Sequence, residues 1–317
     1  MTTSTPPPVI EDAIASTLLP LTPRRKYLYI TLMVLATIVW GSTFLVVQET
    51  IKLTGVFTFL ALRFSLGALT LILIFHKRLR HMNRYELGAG SCIGLFLFAG
   101  FALQTWGLRY TTSSEAAFIT GLYVPFVTIL SLFILKQKPT RMAITGVVIS
   151  FVGLTLISFN KNLVLTFGLG ELLVLGCAVA NALHIVTISK FAPKADPMNL
   201  AIVQIALTAL LSAVAIPLAG EPLILPPAPV WLSVLFMGMI ATAFCFAVMN
   251  WVQQSVSSTQ ATLVYALEPV WAGVFGYAVG EMLTPLGWFG CACILLGMVI
   301  GELRLWPRRS RLYKRVP

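Results

Sequence analysis

Glu268, Arg63, His184 and Asn181 each interrupt a long apolar run, and a polar group in such a place has to be accounted for. An ionised carboxylate at the centre of a membrane-spanning helix costs about 2.5 kcal/mol or more, so Glu268 must face a cavity or find a partner. Tyr265 and Ala261 precede it by three and seven positions and Ala272 follows by four, which places a polar stripe edged by small residues on one helix face. Such a carboxylate can bind a substrate amine or carry a coupling proton. The plainer alternative is a structural acid paired with another helix. Pro269 adds a kink and removes the donor for the carbonyl of Tyr265, leaving an acceptor that a ligand or water can use.

Arg63 presents a planar five-donor fork suited to a carboxylate or phosphate, whether on a substrate or on Glu268; holding backbone carbonyls or snorkelling to an interface are its structural alternatives. His184 follows Asn181 by three and shares a face with it and with Thr187. Proton handling is open to this histidine, and so is an ordinary interhelical hydrogen bond. Gln104 and Asn250 are polar enough to line a pathway, against the same bland alternative. Trp40, Tyr123 and Trp271 lie away from the span ends where membrane aromatics collect, so they are either walls of an amphipathic pocket or simple packing. The candidate substrate-binding set is therefore Trp40, Arg63, Gln104, Tyr123, Asn181, His184, Asn250, Tyr265, Glu268 and Trp271. Glu171 and Glu281 sit near span ends, where water reaches them, and are weaker candidates. No phosphate-binding loop, HExxH motif, zinc-spaced Cys/His cluster or nucleophile elbow occurs, so no metal or cofactor, catalytic residue or ATP-driven step is expected of this chain alone.

These residues are positioned by ten apolar blocks of roughly the 20 residues that a helix needs to cross the hydrocarbon. The blocks are 27–47, 54–75, 88–108, 116–135, 142–159, 169–189, 198–218, 230–252, 261–280 and 284–301. With 58% hydrophobic and 10% charged residues and a mean hydropathy of +0.90, the chain is far too apolar for a soluble globule. Backbone groups in lipid must be satisfied internally, and blocks this long lack the alternation of a barrel strand, which leaves helices. The expectation is an all-α integral membrane protein of ten transmembrane helices.

The net charge of +11 does not mark a nucleic-acid partner, because the basic residues are split among short loops and the tail. If the N-terminus is cytoplasmic, 18 of the 22 fall on that side, among them Arg24, Arg25, Lys26, Lys77, Arg78, Arg80, Arg84 and the six from Arg304 to Arg315. That places both termini in the cytoplasm. The basic tail can also touch anionic lipid head groups. The five cysteines all lie in apolar blocks and read as small packing residues. Residues 1–26, rich in Pro, Ser and Thr up to Arg24, read as a disordered cytoplasmic leader, and the first apolar block is too long for a cleaved signal.

A shift of 144 residues brings Ser113, Ser114, Ala117, Pro125, Thr140, Gly146 and Gly153 onto Ser257, Ser258, Ala261, Pro269, Thr284, Gly290 and Gly297. A Ser-Ser pair, a mid-span proline and two glycines seven apart thus recur in order. With five spans per unit, an odd number, the second copy enters the membrane inverted, the arrangement of many secondary transporters that bind substrate near the midplane. The glycine pairs, and the step from Gly297 to Gly301, mark close helix packing.

The stretch from Gln104 to Pro125, Trp40-Gly41-Ser42, Arg63-Phe64, and Leu267-Glu268-Pro269 running to Gly280-Glu281 resemble the EamA-type family of the drug/metabolite transporter superfamily. The resemblance spans about residues 27–303 and implies two inverted five-helix EamA repeats, 27–160 and 161–303, followed by a basic cytoplasmic tail, 304–317. It further implies location in a bacterial inner membrane and export of amino acids or related metabolites. The first repeat departs from the family pattern in carrying Lys136-Gln137 where the second keeps Gly280-Glu281. The expected function is secondary export of a small metabolite, an amino acid or derivative, by alternating access, with the lipid bilayer as surroundings, protons as a candidate coupling ion and no nucleic acid. The rivals are a multidrug or cation exporter, a nucleotide-sugar or sugar-phosphate exchanger, a structural or signalling membrane subunit, and, least favoured, a lipid-acting enzyme.

Overall fold

A computed structural model describes residues 23–137, 141–158, 168–222, 224–280 and 285–302. In chain order the helices are α1 (Pro23–Thr50), α2 (Val56–Leu79), α3 (Arg84–Gly107), α4 (Ser113–Thr120 and Tyr123–Ile134), α5 (Arg141–Ser158) and α6 (Leu169–Phe191). They continue with α7 (Pro197–Leu218), α8 (Ala228–Gln253), α9 (Ser258–Tyr265 and Glu268–Ala278) and α10 (Pro285–Glu302). No strand occurs among the described residues. Each expected span coincides with a helix to within a few residues at its ends. Seven of them, α1 to α4 and α6 to α8, are long and apolar enough to cross a membrane by length and composition. The apolar cores of α5 and α10 are shorter, and α9 is interrupted at Ala266 and Leu267, just before its acid.

The caps explain where several helices start. Asn83 accepts from the backbone of Glu86 while Glu86 returns to the backbone of Asn83, a capping box that opens α3. Thr112 with Glu115 and Ser257 with Gln260 do the same for α4 and α9, so the two repeats begin their fourth helices with the same device. Glu171, a weak site candidate by sequence, accepts from the backbone of Gly168 at 2.7 Å and closes the start of α6. Glu281 lies outside the described residues.

The halves interlock through equivalent helices: α2 against α7, α5 against α10, and each half of α4 against the opposite half of α9. The direction of α2 and α7 is fixed at both ends. At one end Glu221, just beyond α7, accepts from the backbones of Phe57 and Thr58 at 3.0 and 2.9 Å and from the Thr58 hydroxyl at 2.9 Å. At the other, Arg78 near the end of α2 donates to Asp196, the cap of α7, at 2.6 Å. Equivalent helices thus run antiparallel, which is the geometry of an inverted pair. The glycine expectation is met at α5 and α10: a Cβ on Gly297 would sit 2.5 Å from the carbonyl oxygen of Gly146. A Cβ on Gly94 of α3 would likewise lie 3.0 Å from the Cα of Gln204 in α7.

Glu221 supplies from the other repeat the cap that the N-terminus of α2 lacks, since Gly55 offers no side chain. Glu221→Ala is expected to destabilise the protein by roughly 2 kcal/mol, an amount set by charged hydrogen bonds to helix-terminal N–H groups. Thermal unfolding in detergent reads this directly, and an unshifted transition would show that the cap carries no weight.

Candidate functional site

Both α4 and α9 break in the middle. In α4 the amide of Leu122 reaches back only three residues to Ile119, and in α9 Leu267 does the same to Val264, after which the helix restarts. Pro125 and Pro269 then fall in the first turn of the restarted half, so the disturbance expected at each proline is displaced a few residues towards the N-terminus. Tyr123 and Glu268 are the first residues of these second halves, although in the 144-residue register Tyr123 answers to Leu267 and Glu268 to Val124.

Tyr123 and Glu268 face one cavity between the halves. Its walls include Trp40 and Thr43 from α1, Leu97, Phe101 and Gln104 from α3, Asn181, His184 and Ile185 from α6, Phe246 and Met249 from α8, and Tyr265 from α9. Seven sequence candidates thus meet there: Trp40, Gln104, Tyr123, Asn181, His184, Tyr265 and Glu268. Arg63, Asn250 and Trp271 are not on the wall. Thr43, Leu97, Phe101, Phe246, Met249 and Ile185 were not anticipated. Helical spacing carries a signal for three of them: Thr43 follows Trp40 by three, and Leu97 and Phe101 precede Gln104 by seven and three.

Several polar groups are already committed. Trp40 donates its indole N–H to the carbonyl of Ala241 at 3.0 Å. Ala241 belongs to a π-helical stretch of α8, Phe236–Phe244, whose looser winding no residue type in the sequence announces. His184 pairs with Gln204 at 2.7 Å, and Gln104 donates to Thr120 at 3.1 Å. Asn181 donates to the sulfur of Cys177 at 3.3 Å and is pressed against Gly100, which has no Cβ to meet its oxygen. The phenol oxygens of Tyr123 and Tyr265 are different. Both are buried, and neither has a hydrogen-bond partner within the protein. Tyr123 lies beside Glu268 and Tyr265 beside Gln253, in neither case with a hydrogen bond of proper geometry. A ligand amine, hydroxyl or water that bridges these oxygens would satisfy what the protein leaves open.

Of the partners open to Arg63, Glu268 is not the one it takes. No ion pair joins it to Glu268; its Nε donates to the Thr242 hydroxyl in the π-helical stretch at 2.8 Å, and the guanidinium lies over the rings of Phe101 and Phe64, 4.6 and 5.3 Å from their centroids. With 1% exposure it is held by a hydroxyl and two aromatic faces, and Nη2 has no partner in the protein. Asn250 donates to the carbonyl of Phe246 at 2.8 Å, and Trp271 packs its Cβ against Gly41 of α1. Of the cysteines, Cys92, Cys177, Cys245 and Cys293 are free thiols, and the side chain of Cys291 lies outside the described residues. No cluster of metal-ligating side chains occurs among the described residues.

Two like halves, antiparallel across apolar helices and enclosing a polar hollow with broken helices at its edge, define a multi-pass membrane transporter. The pattern of the EamA-like transporter family matches residues 27–159 and again 168–301, and the chain belongs to that family. An "Uncharacterized transporter" of Archaeoglobus fulgidus is 32% identical over 282 residues, covering 88% of each chain. "Uncharacterized transporter YyaM" of Bacillus subtilis is 26% identical over 285 residues, 86% of this chain and 93% of its own. A solved crystal structure superimposes with a TM-score of 0.72 at 19% identity, over 87% of this chain and 96% of that one, a likeness of fold.

Proposed function

We propose that this protein is a ten-helix secondary transporter that exports a small metabolite, an amino acid or derivative, by alternating access between its two inverted halves, from the cytoplasm across a bacterial inner membrane with both termini inside. The observation that carries this reading is Glu268 at the break of α9, sharing one cavity with the unpartnered hydroxyls of Tyr123 and Tyr265. Glu268 would take the substrate amine, the two hydroxyls its polar atoms, and Trp40, Phe101 and Phe246 its apolar part. Movement of one half against the other is supported by the neutral bond between Ser131 and Ser258 across the repeats, 2.7 Å, which water can replace without stranding a charge. The ten-span count rests on α5, α9 and α10 crossing as well.

In proteoliposomes, saturable flux of at least one amino acid or small amine is expected; no saturable flux across a panel of such compounds would refute the proposal. A multidrug or cation exporter is the second reading, and one observation favours it: the wall combines several aromatics with a single acid and no Lys or Arg. Competition by lipophilic cationic dyes would decide for it. The same lack of basic groups weighs against nucleotide sugars and sugar phosphates, and Arg63 is shielded behind Phe101.

A further inference from the structure

We propose that the groove between the last turns of α2 and the last turns of α8 is a binding site for an anionic phospholipid. Its shape has a local cause. Near the middle of the bundle the two helices are in close contact: a Cβ on Gly238 would lie 3.0 Å from the carbonyl oxygen of Arg63, and one on Gly67 would lie 3.1 Å from that of Gly238. Farther along, Phe75 leaves helical geometry, with φ −111° and ψ 22°, which marks a kink before the last turn of α2. Beside this kink a groove lies between the ends of α2 and α8.

One side of this groove is a single face of α8. Phe244, Ala247, Val248 and Trp251 follow one another at the three- and four-residue steps that align on a helix. Phe75 and Met198 face them from α2 and α7, so the walls form an apolar slot suited to an acyl chain. Trp251 is 38% exposed and stacks edge-on with Tyr29, as aromatics do where membrane meets water. At the mouth stands Arg78, with Gln254 and Asp196 beside it. Lys77, Arg80 and Arg84 are exposed nearby on the same end of the bundle, so basic charge outweighs Asp196 and the buried Glu86. Arg78 gives one nitrogen to Asp196, and a guanidinium has five donor hydrogens, which leaves it able to hold a phosphodiester as well. An apolar slot ending in a basic rim matches one diacyl lipid with a negative head group, and fits neither a free phosphate nor a neutral lipid as well.

Purified full-length protein in detergent, titrated with phosphatidylglycerol and with phosphatidylcholine of the same chains and read by native mass spectrometry, tests this without reference to transport or orientation. Wild type is expected to favour phosphatidylglycerol by roughly fivefold or more, the worth of about one basic contact at a membrane surface. Ala247→Trp fills the slot and should lower retention of both lipids; Arg78→Gln should remove the preference alone. Asp196→Asn separates the lipid from the ion pair, because asparagine still caps α7 while releasing Arg78, so the preference should persist or rise. Equal binding of the two lipids by wild type would overturn the proposal, as would loss of the preference in Asp196→Asn or unchanged retention in Ala247→Trp.

Discussion

Glu268→Gln is expected to cut saturable substrate flux by roughly tenfold to a hundredfold, the range that loss of a charge-assisted hydrogen bond to a ligand commands. Glutamine keeps the volume and the hydrogen-bonding reach and removes the charge, so the bundle should assemble as before. Its detergent-solubilised stability should stay close to wild type, because Glu268 has no ion-pair partner to strand. Where protons drive export, the same variant should lose the dependence of flux on an imposed pH gradient. Flux that still follows the gradient would take Glu268 out of the coupling step, and flux of wild-type size would take it out of the site. Measuring uptake in proteoliposomes with and without the gradient separates the two results.

Gly41→Val should be the most damaging single substitution outside the cavity wall. A Cβ at this position would come 2.5 Å from the Cβ of Trp271, 2.9 Å from the backbone nitrogen of Ala272 and 3.0 Å from the carbonyl oxygen of Glu268. Two of these atoms are backbone, so no rotamer change relieves the overlap and α1 must move away from α9. Overpacking of this kind costs about 3 kcal/mol. Trp40 precedes Gly41 and is hydrogen-bonded to Ala241, so a displaced α1 also drags a cavity wall. The expected result is a lower unfolding temperature together with weakened substrate binding. A variant with wild-type stability and flux would mean that α1 and α9 have slack that the packing does not show.

Much of the arrangement is legible in the residues. Apolar block length locates the helices, and the recurrence of Pro125 and Pro269 locates the two that break, although each break falls upstream of its proline, where the restarted half begins. Helix-periodic spacing around Glu268 and Asn181 finds most of the polar wall. The partner of Arg63 was not legible, since charge balance points to Glu268 whereas the neighbour that receives Nε is a threonine on a helix more than a hundred residues away. Periodicity within one span cannot say which helix lies opposite. The π-helical stretch of α8 is equally hidden: Phe236–Phe244 reads as an ordinary apolar run. Phe246 and Met249 went unnoticed because an apolar residue on a cavity wall looks like one facing lipid.

The reach of Glu221 to the start of α2 also bears on how this protein is made. During synthesis the ribosome releases α2 long before it releases residue 221, so the leading end of that helix waits through five further hydrophobic segments for the carboxylate that completes it. The first repeat is thus completed by a residue of its inverted twin.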